Sequence, residues 1–369
     1  MLALLMLLSG CGAAAPHEPR AQLAVAEALG EPAGQGFARA TSPRPFSFPT
    51  DHGPHREYAA EWWYYTGNLT SDDGRQYGFQ LTFFRFGLAA NATPRESAWA
   101  ANEIYMAHFA LSDIAGGKFY AFERFSRAAA GLAGAQAEPF RVWLEDWSSD
   151  GLGPTGTPMR IRAAQDGVAL DLTLEAGKPI VLQGDQGLSQ KSGEAGNASY
   201  YYSMTRMPAS GTIQTPTNTS TVAVQGNAWM DREWSTSALG PDQVGWDWFA
   251  LQLGDGREIM FYQLRLRNGQ SDPYSKGILV AADGSTTLLK RDDVQLIVTN
   301  TWQSLRGTTY PAAWSLRIPS QAIDLQITPL LANQELPLSV TYWEGAVQIS
   351  GTSTGRGYVE LTGYADNGS

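Results

Sequence analysis

The sequence predicts an all-β protein built as two tandem antiparallel β-barrels. Three observations carry this: serial aromatic and β-branched runs broken by Asp-Gly turns, no long helical periodicity after residue 58, and a loose internal repeat. Asp-Gly between alternating apolar runs is the strongest short-range hairpin signal, because such turns need positive φ. Hairpins in series without crossover helices make meander sheets, and closure removes their edges.

The elements follow in chain order. Residues 1–10 read as a signal peptide, and 11–54, rich in Ala, Pro and Gly, as a tether. Residues 55–240 are the first barrel. Within it Ser71-Asp72-Asp73-Gly74 joins strands 61–69 and 76–86, Ala115-Gly116-Gly117 joins 103–112 and 118–125, and Gln165-Asp166-Gly167 joins 159–163 and 168–174. Residues 241–369 are the second barrel. There Gly254-Asp255-Gly256 joins 246–253 and 257–266, and Ala282-Asp283-Gly284 joins 277–280 and 285–289. The halves echo each other: Glu61-Trp62-Trp63-Tyr64-Tyr65 matches Trp246-Asp247-Trp248-Phe249-Ala250, and the stretch holding Trp229 and Asp231 matches the one holding Tyr358 and Glu360. Barrels of about eight strands hold one small ligand inside, so the fold already suggests the handling of a hydrophobic ligand.

Composition narrows the function classes. Twelve Trp, 15 Tyr and 14 Phe need burial, which excludes disorder for most of the chain. A net charge of −10 offers nothing to neutralise phosphates, so nucleic acid is not an expected partner. The single cysteine, Cys11, ends an apolar run, and this leaves no intrachain disulfide. The segment Leu8-Ser9-Gly10-Cys11 resembles a bacterial lipoprotein signal, in which cleavage precedes the cysteine and its thiol is acylated. The expectation is an exported protein anchored through Cys11 at the periplasmic face, the outer membrane favoured by Gly12. An ordinary secretory signal cleaved after Ala13-Ala14-Ala15 is the alternative.

Two motif matches lack their context. Gly151 to Gly156 fits a dinucleotide fingerprint, but a proline interrupts it and no helix follows. Gly351 to Gly355 fits a nucleophile elbow, yet it joins two strands. Of four histidines, His17, His52 and His55 fall in or near the tether, so a three-histidine metal site in the body is excluded. His108, in Met106-Ala107-His108-Phe109-Ala110, faces away from Phe109. It is either a structural histidine or a ligand and proton-transfer contact.

The densest constellation spans 226–248, with Trp229, Trp234, Trp246 and Trp248 beside Asp231, Arg232, Glu233 and Asp247. One reading is a barrel-end plug with Arg232 paired to an acid. The other places Asp231 on the face of Trp229, where desolvation raises its pKa and makes a general acid. Tyr200 and Tyr202 share a face and are either ligand lining or ordinary strand aromatics.

Taken together, Glu61-Trp62-Trp63-Tyr64, Phe84-Arg85, Ala107-His108-Phe109-Ala110, Trp229-Met230-Asp231-Arg232-Glu233-Trp234, Trp246-Asp247-Trp248 and Tyr342-Trp343-Glu344-Gly345 resemble the AttH-like, carotenoid 1,2-hydratase (CrtC)-like family. The resemblance implies two lipocalin-like domains, often exported, with AttH-type members near ABC-transporter genes. Distant fungal relatives hydrate or cyclise hydrophobic substrates. The hydratase branch pairs a His-x-Trp with a later Tyr-x-Asp. Here Tyr-x-Asp falls on Trp229-Met230-Asp231 and His-x-Trp falls near Tyr200-Tyr201-Tyr202, so only the acid is kept. The expected function is binding of a hydrophobic small molecule, with an ABC transporter as the partner the resemblance implies, without a cofactor or metal. The alternative is a hydratase or hydrolase acting on an apolar polyene or isoprenoid-like substrate. The expected catalytic set is Asp231, Tyr200, Tyr202 and Trp229, and the expected ligand contacts are Trp63, Arg85, His108, Trp234, Trp246 and Trp248.

Overall fold

A computed structural model describes residues 36–91, 97, 99–218, 220–235 and 239–365. Cys11 and the expected signal lie outside the described residues. Among those described, helical structure is limited to three short 3-10 turns, and no helix is long and apolar enough to cross a membrane.

The first sheet contains β1 (Ala60–Ser71), β2 (Gln76–Gly87), β3 (Glu103–Asp113), β4 (Lys118–Arg127), β5 (Ala133–Gln136), β6 (Arg141–Leu144) and β7 (Trp147–Gly151). It continues through β8 (Met159–Gln165), β9 (Val168–Leu174), β10 (Val181–Leu182), β11 (Leu188–Gln190), β12 (Ala198–Gln214) and β13 (Val222–Ser235). Its order is β4-β3-β2-β1-β13-β12-β9-β8-β7-β6-β5, antiparallel throughout, with β10 and β11 added to β12. The sheet curls until its ends nearly meet, and Arg124 of β4 lies 4.3 Å over the Trp147 ring of β7.

The second sheet holds β14 (Gln243–Leu253), β15 (Glu258–Leu266), β16 (Lys276–Val280), β17 (Thr286–Lys290), β18 (Gln295–Gln303), β19 (Thr309–Ile318), β20 (Ile323–Pro329), β21 (Glu335–Pro337), β22 (Thr341–Gly351) and β23 (Gly355–Leu361). Its order is β17-β16-β15-β14-β23-β22-β20-β19-β18, with β21 added to β22. This is a half-barrel, not the closed second barrel expected. Its end strands β17 and β18 are largely exposed, so no continuous apolar face draws the two edges together.

The Asp-Gly turns form as the chemistry demands. Asp166 (φ 50°) and Gly167 (φ 79°) both occupy the left-handed region that the two-residue hairpin between β8 and β9 requires. Alternation then sorts each strand's side chains between two faces. The inward face of the first sheet packs Trp63, Tyr65, Phe79, Leu81, Phe83, Phe109, Trp147 and Leu172 into one core, all fully buried. The barrel interior is therefore filled by protein side chains.

Residues 36–54 were expected as a tether, but they close the mouth of this barrel. Phe46 packs on Trp234 with ring centroids 5.6 Å apart, and the His52 ring nitrogen is 2.6 Å from the Tyr202 hydroxyl. His55 stacks flat on Trp234 at 3.7 Å. Below them the Glu61 carboxylate accepts from both Arg85 and Arg232. Burial alone would push this carboxyl up, but the two guanidinium groups outweigh it and hold it well below the usual range.

The outward face of β1, β2, β3, β12 and β13 meets the second sheet. Gly78 allows the close approach: a Cβ there would lie 2.6 Å from the Ala346 Cβ. Asn68 donates to the Gly357 carbonyl at 3.0 Å, and Gln252 donates to the carbonyls of Thr205 and Ala228 at 2.8 and 3.0 Å. These polar bonds set the sheets in register against each other.

Candidate active site

Between the two sheets lies a cavity. Trp62 and Tyr64 of β1, Phe84 of β2, His108 of β3, Tyr201 of β12, and Asp231 and Glu233 of β13 form one wall. Trp246 and Trp248 of β14, Tyr262 and Leu264 of β15, Tyr342 and Glu344 of β22, and Glu360 of β23 form the other. The centres of water-sized spheres fit over about 100 Å³, room for several waters or part of a small apolar molecule.

Asp231 reaches this space because β13 alternates, with Met230, Arg232 and Trp234 inward and Trp229, Asp231 and Glu233 outward. Its Oδ1 accepts from the Ser203 hydroxyl at 2.5 Å and from the Trp229 indole at 2.7 Å. Its Oδ2 accepts from the Tyr201 hydroxyl at 2.5 Å, and that hydroxyl accepts from the Trp248 indole at 3.1 Å. These donors are neutral. Burial outweighs them and pushes the Asp231 carboxyl up to about 7. Lys191, also on the cavity wall, is engaged at 2.9 Å by Glu233.

The repeat places a second acid opposite. Asp231 pairs across the ladder with Tyr64, and Glu360 of the corresponding strand pairs with Trp248. The Tyr64 and Trp248 rings meet edge-on at 5.2 Å. Glu360 accepts from the Trp246 indole at 2.8 Å, and it lies directly across from Glu344 on β22. Burial, with the charges of Asp231 and Glu233, pushes Glu360 up to about 7 despite that hydrogen bond. Burial and the neighbouring Glu360 push Glu344 well above the usual range, although it accepts from the Tyr64 hydroxyl at 2.6 Å. Among the described residues no cluster of three or more His, Cys, Asp or Glu side chains is placed to hold a metal.

Of the residues expected from sequence, the fold brings Asp231, Trp229, His108, Trp246 and Trp248 together at this cavity. Tyr200, Tyr202, Trp63, Arg85 and Trp234 point the other way, into the first barrel. Tyr200 and Tyr202 are thus not on the wall with Asp231; their neighbour Tyr201 is. The reason is register: Tyr201 lies across from Glu233, and only that pairing assigns its face. Sequence reasoning also missed Tyr64, Tyr342, Glu344 and Lys191. Glu360 had a signal, since it stands where the repeat puts a counterpart of Asp231.

The model of the family described as AttH-like matches residues 39–364. The chain belongs to that family. An AttH protein from Nitrosomonas europaea has a solved structure 36% identical to this chain, with a TM-score of 0.79, covering 89% of this chain and 100% of its own. Kievitone hydratase from Nectria haematococca is 17% identical with a TM-score of 0.66, covering 92% of this chain and 98% of its own. CghA, solved with Sch210972, is 15% identical with a TM-score of 0.55 and covers 92% and 98%. At those identities the hydratase and CghA show a shared fold. No curated protein matches the chain. For an AttH-like chain, the acids at the sheet interface are the chemistry to explain.

Proposed function

We propose that this AttH-like protein binds a hydrophobic small molecule between its two sheets and protonates it from Asp231. The observation that carries this is a buried carboxyl on an aromatic wall, hydrogen-bonded by neutral donors alone and pushed up to about 7. A carrier has no need of such a group, whereas a general acid works best with a pKa near the working pH. With an alkene as substrate, the carboxyl proton passes to one alkene carbon as the π pair forms the C–H bond. The cation left on the next carbon faces the rings of Tyr64 and Trp248, which stabilise it through their π faces. Water then adds, and its surplus proton goes to a carboxylate. That the fold is shared with a hydratase supports this reading.

The carrier reading rests on the same aromatic lining, with an ABC transporter as the partner. The test starts with native mass spectrometry of protein purified from its host membranes, to identify co-purified molecules. Those molecules are then incubated with the protein in ¹⁸O-labelled water. Incorporation of ¹⁸O that disappears in Asp231→Asn, with binding kept, is the expected result. Unchanged incorporation in that variant overturns the acid, and binding with no incorporation in either protein favours the carrier. We place the protein at the periplasmic face of the membrane, acylated at Cys11. Cys11→Ser then abolishes labelled-palmitate incorporation and releases the protein to the soluble fraction.

A further inference from the structure

His108 is fully buried, and both of its ring nitrogens are engaged, one by its ladder partner in the first sheet and one across the interface. Its Nε2 lies 3.0 Å from Oε1 of Glu123 on β4, and its Nδ1 lies 2.8 Å from the Tyr342 hydroxyl on β22. Glu123 is partly open to solvent and accepts from the Ser339 hydroxyl at 2.5 Å and the Ser339 amide at 3.2 Å. The Tyr342 side chain neighbours Glu344, two residues on along the same face of β22, whose Oε2 holds no close hydrogen bond and whose partner across the ladder is Glu360. One file of groups thus runs from the surface to the cavity wall that faces Asp231.

We propose that Glu123, His108 and Tyr342 form a proton relay between solvent and the Glu344–Glu360 carboxyl pair. Tyr342 has a single hydroxyl proton and two neighbours that can take it. With His108 neutral, Tyr342 donates to Nδ1 and a protonated Glu344 donates to the Tyr342 oxygen. With His108 protonated, Nδ1–H donates to that oxygen and Tyr342 donates to the Glu344 carboxylate. Passing between these states moves one proton from Glu344 to His108 through the Tyr342 hydroxyl, which closes onto the unpartnered Glu344 Oε2 for the first hop. The proton on Nε2 then passes to Glu123 and to water. The charged and titratable groups around the file are Glu123, Glu344, Glu360, Tyr64 and Tyr358, and the Phe84 ring meets His108 edge-on at 5.3 Å.

The relay deepens the proton-transfer reading and rests on it for its purpose: Asp231 donates one proton to the substrate and regains one from the adding water, and the relay sets the protonation of the facing carboxyl pair by exchange with solvent. Its measurement needs no turnover. Protein is diluted rapidly into D₂O and the infrared C=O band of the protonated Glu344 carboxyl, identified as the band lost in Glu344→Gln, is followed in time. Exchange is expected to slow about tenfold or more in His108→Ala and in Glu123→Gln. Added imidazole should restore it in His108→Ala, which a purely structural histidine would not allow. Should His108→Ala fail to fold, Glu123→Gln decides alone. Exchange at the wild-type rate in the folded variants, or slowing that imidazole leaves untouched, overturns the relay. A failure of Asp231→Asn to affect ¹⁸O incorporation would instead sink the acid and leave this exchange unaltered.

Discussion

Replacing Asp231 with Asn tests the state of the buried carboxyl directly. In the unfolded chain this group ionises near 3.8, and in the folded protein burial holds it protonated up to about 7. The sign is the reverse of the common aspartate case. Its contribution is fully favourable below pH 3.8 and is lost as pH rises to about 7, because the unfolded chain ionises freely while the folded one does not. At about 1.4 kcal/mol for each pH unit between those values, the penalty reaches about 4 kcal/mol by pH 8. Asn is isosteric, cannot ionise, and still accepts from Ser203 and Trp229. Urea unfolding followed by tryptophan fluorescence from pH 4 to 8 should show wild type losing stability relative to Asp231→Asn, with most of the change between pH 4 and 7. The variant should be the more stable protein at pH 8. Parallel curves for the two proteins across that range would mean that Asp231 is ionised in the fold, and the acid role would fall with it.

Three more outcomes follow from the same geometry. Tyr201→Phe removes a hydrogen bond that favours the Asp231 carboxylate, so the Asp231 pKa should rise above about 7; carboxyl ¹³C NMR reads it, and an unchanged value counts against the contact. Glu61→Gln strips the buried countercharge from Arg85 and Arg232 and should cost about 3–5 kcal/mol in denaturant unfolding; a near-neutral change would refute the buried-pair account. Trp248→Phe should weaken binding of the fluorescent apolar probe ANS to the cavity, whereas Trp63→Phe, on the inward face, should lower stability and leave ANS affinity alone. Equal effects on affinity would put the binding site elsewhere.

Much of the site was legible once strand faces were assigned. Alternation from Trp229 to Trp234 puts Asp231 outward with Trp229, and sends Arg232 away from it toward Glu61. The same parity places Trp234 with Arg232, so its expected role as a ligand contact conflicted with the pattern of its own strand. Trp63 and Arg85 fall inward likewise. For Tyr200-Tyr201-Tyr202 parity alone is mute, because three identical residues offer no apolar-polar contrast. The ladder to β13 settles it, setting Tyr201 across from Glu233 and Ser203 across from Asp231.

The sequence by itself determined the class of fold. Local turn chemistry at Asp-Gly steps and period-two alternation are short-range effects, written in neighbouring residues. It also pointed to a loose repeat in which Glu360 is the counterpart of Asp231. Only the tertiary structure decided which face of the first sheet is packed solid and which is left to meet the second. That choice moves the cavity from inside a barrel to between two sheets, because the aromatic side chains that fill the barrel are as apolar as those that line the cavity. It also decided that Asp231, Glu344 and Glu360 share one desolvated space. Their pKa values depend on burial and on charges contributed from strands more than a hundred residues apart, and no local pattern carries that sum.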